Sequence, residues 1–141
     1  MRIGTVCFLI KEHEVLLILI EYSPTNRKWT GIGGVVDEGE SLEDAIVRET
    51  QEESYLEIKK ESLKKVAELN YEDLQLYVFL SDKWSGELKA KEPSLKEFQW
   101  FSINDLPFSK MHPDNDKWLP QILKGKLMKK VDDNYIEVTE L

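Results

Sequence analysis

Glu49, Glu52 and Glu53 stand within five residues of one another in the stretch Gly34–Leu56, GVVDEGESLEDAIVRETQEESYL. On a helix, Glu49 would neighbour both Glu52 (i, i+3) and Glu53 (i, i+4), with Cβ atoms roughly 5–6 Å apart. Like charges at that spacing destabilise a helix, and the negative end of the helix dipole acts in the same direction if the helix stops nearby. Something positive should sit there. Arg48 supplies one charge, but a carboxylate cluster is better matched by a hard divalent cation that takes oxygen ligands and brings phosphate oxygens with it.

The elements that would position these side chains can be read around them. Ser41 followed by Asp44 is a capping-box pattern, so the spacing predicts a helix from Leu42 to about Ser54. Leu42, Ala45, Ile46 and Thr50 recur at helical spacing and make a stripe that faces a sheet. Thr50 keeps its place on that stripe if its hydroxyl bonds back to a carbonyl. Gly31, Gly33, Gly34 and Gly39 ahead of the helix let the backbone turn tightly and present its polar groups.

On these residues the stretch resembles the Nudix box, G-x5-E-x7-R-E-U-x-E-E-x-G-U, where U is bulky and aliphatic. Gly34, Glu40, Arg48, Glu49, Glu52, Glu53 and Leu56 fall on the pattern. Thr50 replaces the first aliphatic residue, and Tyr55 replaces the glycine. Because a tyrosine tolerates the left-handed conformation poorly, the helix is expected to end differently here from its relatives, with its metal-facing turn intact.

The resemblance implies a mixed β-sheet sandwiched between helices, an α/β (α+β) fold, with the box as loop-helix-loop. It implies that Glu49, Glu52 and Glu53 hold a divalent metal, Mg²⁺ or Mn²⁺ in its place, together with the carbonyl of Gly33. Glu40 and Arg48 would brace loop against helix. A further glutamate from a later loop is expected, Glu97 first and Glu92 second, and the general base is expected to be Glu53 or Glu97.

The likeness continues outside the box. Trp29-Thr30-Gly31-Ile32-Gly33-Gly34 and the segment Leu106–Pro120 resemble the oxidised purine nucleoside triphosphatase branch, which acts on 8-oxo-dGTP. In that branch an acidic pair reads the purine edge, and the matching positions are Asp114 and Asn115; Thr5 matches a threonine near the nucleotide. Thr30 stands where that branch has a base-reading asparagine, and His112 where it has a tryptophan. Changes of this kind shift preference between bases. The implied activity is pyrophosphohydrolysis of a nucleoside triphosphate. The alternatives are the same chemistry on a dinucleoside polyphosphate, a nucleotide sugar or an RNA 5′ end, and a non-catalytic nucleotide-binding module.

Composition sets the remaining bounds. At 141 residues the chain is expected to form one Nudix hydrolase domain, residues 1–141, with a core large enough to stand without disulfides. The single cysteine, Cys7, lies in an apolar run and is expected to be buried rather than nucleophilic. No run of residues is apolar enough for a membrane helix, and the N-terminus lacks the pattern of a signal peptide, so a soluble, cytoplasmic monomer or homodimer is expected. The net charge of -8 disfavours an extended nucleic-acid partner, so a nucleotide must be gripped through metal.

Two β-rich apolar runs, Ile3–Ile10 and Val15–Tyr22, flank a turn at Lys11–Glu14 and predict a hairpin. Its near-continuous VLLILI run is expected to be covered on both faces, and Ser23–Lys28 reads as a polar loop. His13 falls in the hairpin turn as a solvated histidine. Further strands are expected at Lys64–Asn70, Leu74–Leu80, Glu97–Phe101, Leu127–Val131 and Tyr135–Thr139, with a second helix over Asn115–Lys124 stopped by Gly125. Trp118 and Phe108 are expected in the core.

Overall fold

A computed structural model describes residues 1–89 and 95–141. Glu92 therefore lies outside the described residues.

The architecture grows from the first hairpin. Strand β1 (Arg2–Lys11) and strand β2 (Glu14–Ser23) turn about the exposed His13, but they pair only at the tip, through Ile10 with Val15 and Lys11 with Glu14. Beyond that point the two strands fork. The next segment fills the fork: β3 (Asn26–Thr30) pairs antiparallel with β2, the chain crosses at Gly31, and β4 (Ile32–Val35) pairs antiparallel with β1. Part of the stretch expected to be a loop, Asn26–Lys28, is thus strand. Its polar side chains suit an edge, where only one hydrogen-bonding side is used.

The outer edges are taken by strands from the second half of the chain. β7 (Leu74–Ser81) runs parallel to β1 along its length, β6 (Lys64–Asn70) pairs antiparallel with β7, and β9 (Leu95–Ser102) pairs antiparallel with β2. The C-terminal hairpin β10 (Leu127–Val131) and β11 (Asn134–Val138) joins through a parallel pairing of β10 with β6. Two short strands, β5 (Glu57–Ile58) and β8 (Trp84–Ser85), pair apart from this mixed sheet.

Both faces of the sheet are covered, which explains the nearly continuous apolar runs of β1 and β2. Cys7, Leu9, Leu16 and Ile18 pack with Ile46 and Leu56 at helix α1 (Leu42–Ser54), whereas Val6, Phe8, Val15 and Leu17 pack with Trp118, Leu119 and Ile122 of helix α2 (Asn115–Leu123). Cys7 is buried, and burial holds its thiol far above the ordinary range. Trp118 is 2% exposed and Phe108 packs against the same cluster, as expected. Among the described residues no helix is long and apolar enough to cross a membrane.

Candidate active site

Local chemistry places α1 where its spacing predicts. Ser41 adopts an extended conformation and its Oγ accepts from the Asp44 amide at 3.1 Å. Ala45, Ile46 and Thr50 are buried, and the Thr50 hydroxyl donates to the Ile46 carbonyl at 2.7 Å. The helix end departs from expectation. Tyr55 itself takes the left-handed conformation, with φ 67° and ψ 4°, and its amide bonds to the Gln51 carbonyl at 3.1 Å. The backbone closure that a glycine would favour is kept, with Tyr55 45% exposed and its Cβ carrying the cost of the left-handed conformation.

Arg48 organises the loop. Its Nε and Nη2 donate to the two oxygens of Glu40 at 2.8 and 2.9 Å, a two-point bond, and Nη2 also reaches the Val35 carbonyl at 3.3 Å. Glu40 in turn accepts from the Asp37 amide at 3.1 Å. Loop and helix are braced as the resemblance implies. The guanidinium bond, then the Asp37 amide, hold the Glu40 carboxyl below the ordinary carboxylate range, and Glu40 and Glu49 hold the guanidinium firmly protonated.

The same guanidinium meets Glu49 at 2.8 Å, Glu52 at 3.2 Å and Asp37 at 3.5 Å. Consequently the three box glutamates do not converge as the sequence suggests. Glu49 and Glu52 are drawn to Arg48, while Glu53, 7% exposed, lines a cavity. Among the described residues no three His, Cys, Asp or Glu side chains are placed to hold one metal ion as they stand.

The donors nevertheless fit a hard cation. One guanidinium serves four carboxylates, which leaves the cluster negative. A Cβ on Gly34 would come within 2.6 Å of Glu49 Oε1, so glycine is what allows that carboxylate to lie against the backbone of β4. A Cβ on Gly33 would fall 1.9 Å from the Thr5 carbonyl, so only glycine lets β4 approach β1 here, and Gly33 shares the cavity wall with Glu53. The tie of Glu52 to Arg48 is longer than that of Glu49 and lies half exposed, so solvent screens it more.

Glu97 does not join them. It lies opposite Leu19 in the β2–β9 register, while its neighbours Phe98 and Trp100 pack in the cluster carrying α1. Alternation therefore turns Glu97 to the other face, where it is exposed and outside the cavity wall.

The cavity, about 650 Å³, opens inside the fork of the hairpin. Glu53 and Gly33 mark one part of its wall, and Thr5, Thr30, Asp114 and Asn115 another. Its volume lies within the range of small-ligand sites. Thr5 is 3% exposed and its Oγ1 has no hydrogen-bond partner among the described residues. Asn115 is 7% exposed at the first turn of α2. Asp114 precedes it at φ 71°, its Oδ1 3.2 Å from Lys117 Nζ and its Oδ2 3.5 Å from the Tyr135 hydroxyl. Trp118 combines a core position with a place in the wall.

Several wall residues were not placed at the site by the sequence, Tyr22 and Tyr71 among them. Tyr22 lines the cavity and bonds to His112, with its hydroxyl 3.0 Å from Nε2. The signal was present: Ile18, Ile20 and Tyr22 alternate along β2, and all three line the cavity. Burial, then the charge of Glu53, raise the Tyr22 phenol above its ordinary value.

The model of the NUDIX domain matches residues 1–122. The chain belongs to the Nudix family. It is 30% identical over 131 residues to a mouse oxidized purine nucleoside triphosphate hydrolase (Mus musculus), covering 89% of this chain and 81% of the relative. The zebrafish (Danio rerio) protein of that name is 32% identical over the same shares. An NAD-capped RNA hydrolase NudC of Haemophilus influenzae is 34% identical over 103 residues, 72% of this chain but 39% of the relative. Among solved structures, a MutT NUDIX hydrolase from Burkholderia pseudomallei superposes with a TM-score of 0.76 at 26% identity, covering 86% of this chain and 97% of that one. Family and fold together make this Nudix hydrolase an enzyme that acts on nucleotides, with Arg48 and Glu40 at the brace of its box.

Proposed function

We propose that this Nudix hydrolase is a Mg²⁺-dependent pyrophosphohydrolase that converts a nucleoside triphosphate to its monophosphate and pyrophosphate. Oxidised purine nucleotides such as 8-oxo-dGTP are the leading substrates, cleared from the cytoplasmic nucleotide pool. The observation that carries the reading is one cavity walled by Glu53 and Gly33 together with Asp114 and Asn115. Similarity to oxidised purine triphosphatases across 89% of the chain supports it.

Glu49, Glu52, Glu53 and the Gly33 carbonyl are the groups that would hold the metal. When bound, such an ion neutralises polyphosphate charge and acidifies water for in-line attack. Glu53, buried at the cavity wall, accepts the proton of the attacking water; Glu97, on the opposite face, does not compete for that role. Asp114 accepts hydrogen bonds from the base, and Asn115 both donates and accepts, so the pair reads a purine edge. Thr5 offers its unpartnered hydroxyl to the nucleotide.

A second reading moves the substrate and keeps the chemistry. Thr30, His112 and Asn115 depart from the branch pattern in the cavity wall itself, and the NAD-capped RNA hydrolases match 72% of the chain, which favours a dinucleotide or a capped RNA 5′ end.

Pyrophosphate release with Mg²⁺ from 8-oxo-dGTP, 2-oxo-dATP, dGTP, dATP and a dinucleoside polyphosphate separates the two, with Glu53→Gln as control. Preference for an oxidised purine is expected, with at least roughly a hundredfold loss of kcat in the control. An indifferent panel moves the substrate to the second reading, and an active Glu53→Gln protein removes Glu53 from the chemistry.

A further inference from the structure

Tyr22 occupies an irregular position in β2. The β2–β3 register passes from Glu21 opposite Arg27 to Ser23 opposite Asn26, so one residue of β2 has no counterpart. That residue is Tyr22. The irregularity leaves Tyr22 on the cavity side with Ile18 and Ile20, and bulges of this kind recur beside functional sites. Glu21 is anchored to Arg27 at 2.7 Å, which fixes the strand on one side of the irregularity.

The ring continues the cavity-lining row of β2 and meets His112 in the same wall. Tyr22 is 52% exposed, yet its hydroxyl is 3.0 Å from His112 Nε2, and the two rings meet edge to face with centroids 5.5 Å apart and an interplanar angle of 72°. His112 lies immediately ahead of Pro113-Asp114-Asn115, so the contact ties β2 to the segment proposed to read the base. Held in this way, the two rings present a preset aromatic corner to a planar ligand. Burial and the nearby Lys28 keep the imidazole below its ordinary pKa and hence uncharged at neutral pH. Its face is then suited to stacking on a neutral heteroaromatic ring.

We propose that Tyr22 is a specificity-determining residue of the enzyme, which holds the His112 ring across the cavity so that both rings form the wall against which the nucleotide base packs. The inference rests on the reading of Asp114 and Asn115 as the base-facing end of the cavity. It assigns recognition to a residue outside the box, and to a pair of rings rather than to one.

Binding of the product without metal isolates this role from catalysis. Calorimetric titration in EDTA would compare dGMP, dAMP and 8-oxo-dGMP with 2-deoxyribose 5-phosphate as a ligand lacking the base. Wild type is expected to prefer base-bearing ligands. Tyr22→Ala should weaken the preferred monophosphate roughly tenfold and leave the sugar phosphate unchanged, while Tyr22→Phe, which keeps the ring, loses only about threefold. His112→Ala, approaching the contact from the other side, should show the same selective loss.

A Tyr22→Ala protein that binds the monophosphate within about twofold of wild type overturns the inference, as does one that loses base-bearing and base-free ligands equally. A wild type that keeps base preference while ignoring Tyr22 rejects this proposal alone. A wild type without base preference rejects the base-facing assignment as well.

Discussion

Arg48 meets four carboxylates at once, and the consequence for Glu40 can be measured. The folded state lowers the Glu40 pKa, so it binds fewer protons than the unfolded chain through the acid range. The stability this confers is fully present above the ordinary glutamate value of about 4.3 and is lost as pH falls through the depressed folded value. Glu40→Gln should therefore lower the denaturant midpoint at neutral pH, and the mutant and wild-type midpoints should draw together as pH falls below about 4. Parallel curves would show that Glu40 contributes nothing through its charge. The brace itself was legible in the sequence because both partners lie on one motif. That Arg48 would also draw Glu49 and Glu52 was not, since a list of acidic residues does not say which of them a single guanidinium will reach. The facing of Glu97, away from the cavity wall, was hidden for a related reason: it depends on the β2–β9 register, which involves residues about eighty positions apart.

Elements defined by local chemistry were read closely. Helix α1 starts where its cap predicts and buries the stripe its spacing predicts, because Ser41, Asp44 and the apolar spacing act within a few residues of one another. The C-terminal hairpin and β6 were likewise visible as alternating runs. By contrast, β3 and β4 are polar or glycine-rich and become strands only because the fork of the first hairpin offers them free edges. Tyr55 belongs to this scale too. A non-glycine residue at φ 67° is held against its intrinsic preference, and the ring is 45% exposed. Replacing it with glycine removes that opposition at the expense of chain entropy, so Tyr55→Gly should raise the unfolding free energy by about 0.5–1 kcal/mol in a denaturant titration. A lower value would mean that the tyrosine ring stabilises this helix end by more than its backbone strain costs.

Across the whole molecule, the family match ends at residue 122, yet the sheet continues through β10 and β11. Met128 on β10 is 4% exposed and packs with the cluster that holds Trp118, Leu119 and Ile122 of α2. Removing residues 126–141 would bare the edge of β6 and leave a void beneath α2. The truncated protein should lose at least about 3 kcal/mol of stability and associate through the exposed strand. Unchanged melting together with an unchanged elution volume would make the hairpin an appendage instead.

The forked hairpin has one further consequence. β1 is flanked by β7 on one side and by β4 and the tip of β2 on the other; β2 is flanked by β9 and, opposite it, by β3 and the tip of β1. Neither strand keeps a vacant edge with which to zip onto the other. The cavity beside β3 and β4, which fill this fork, is therefore framed by paired backbone rather than by a strand free to close over it. Its dimensions belong to the scaffold, whereas its preferences belong to side chains standing on the rim. New substrates can thus be accommodated by exchanging rim residues while every hydrogen-bonded ladder stays intact.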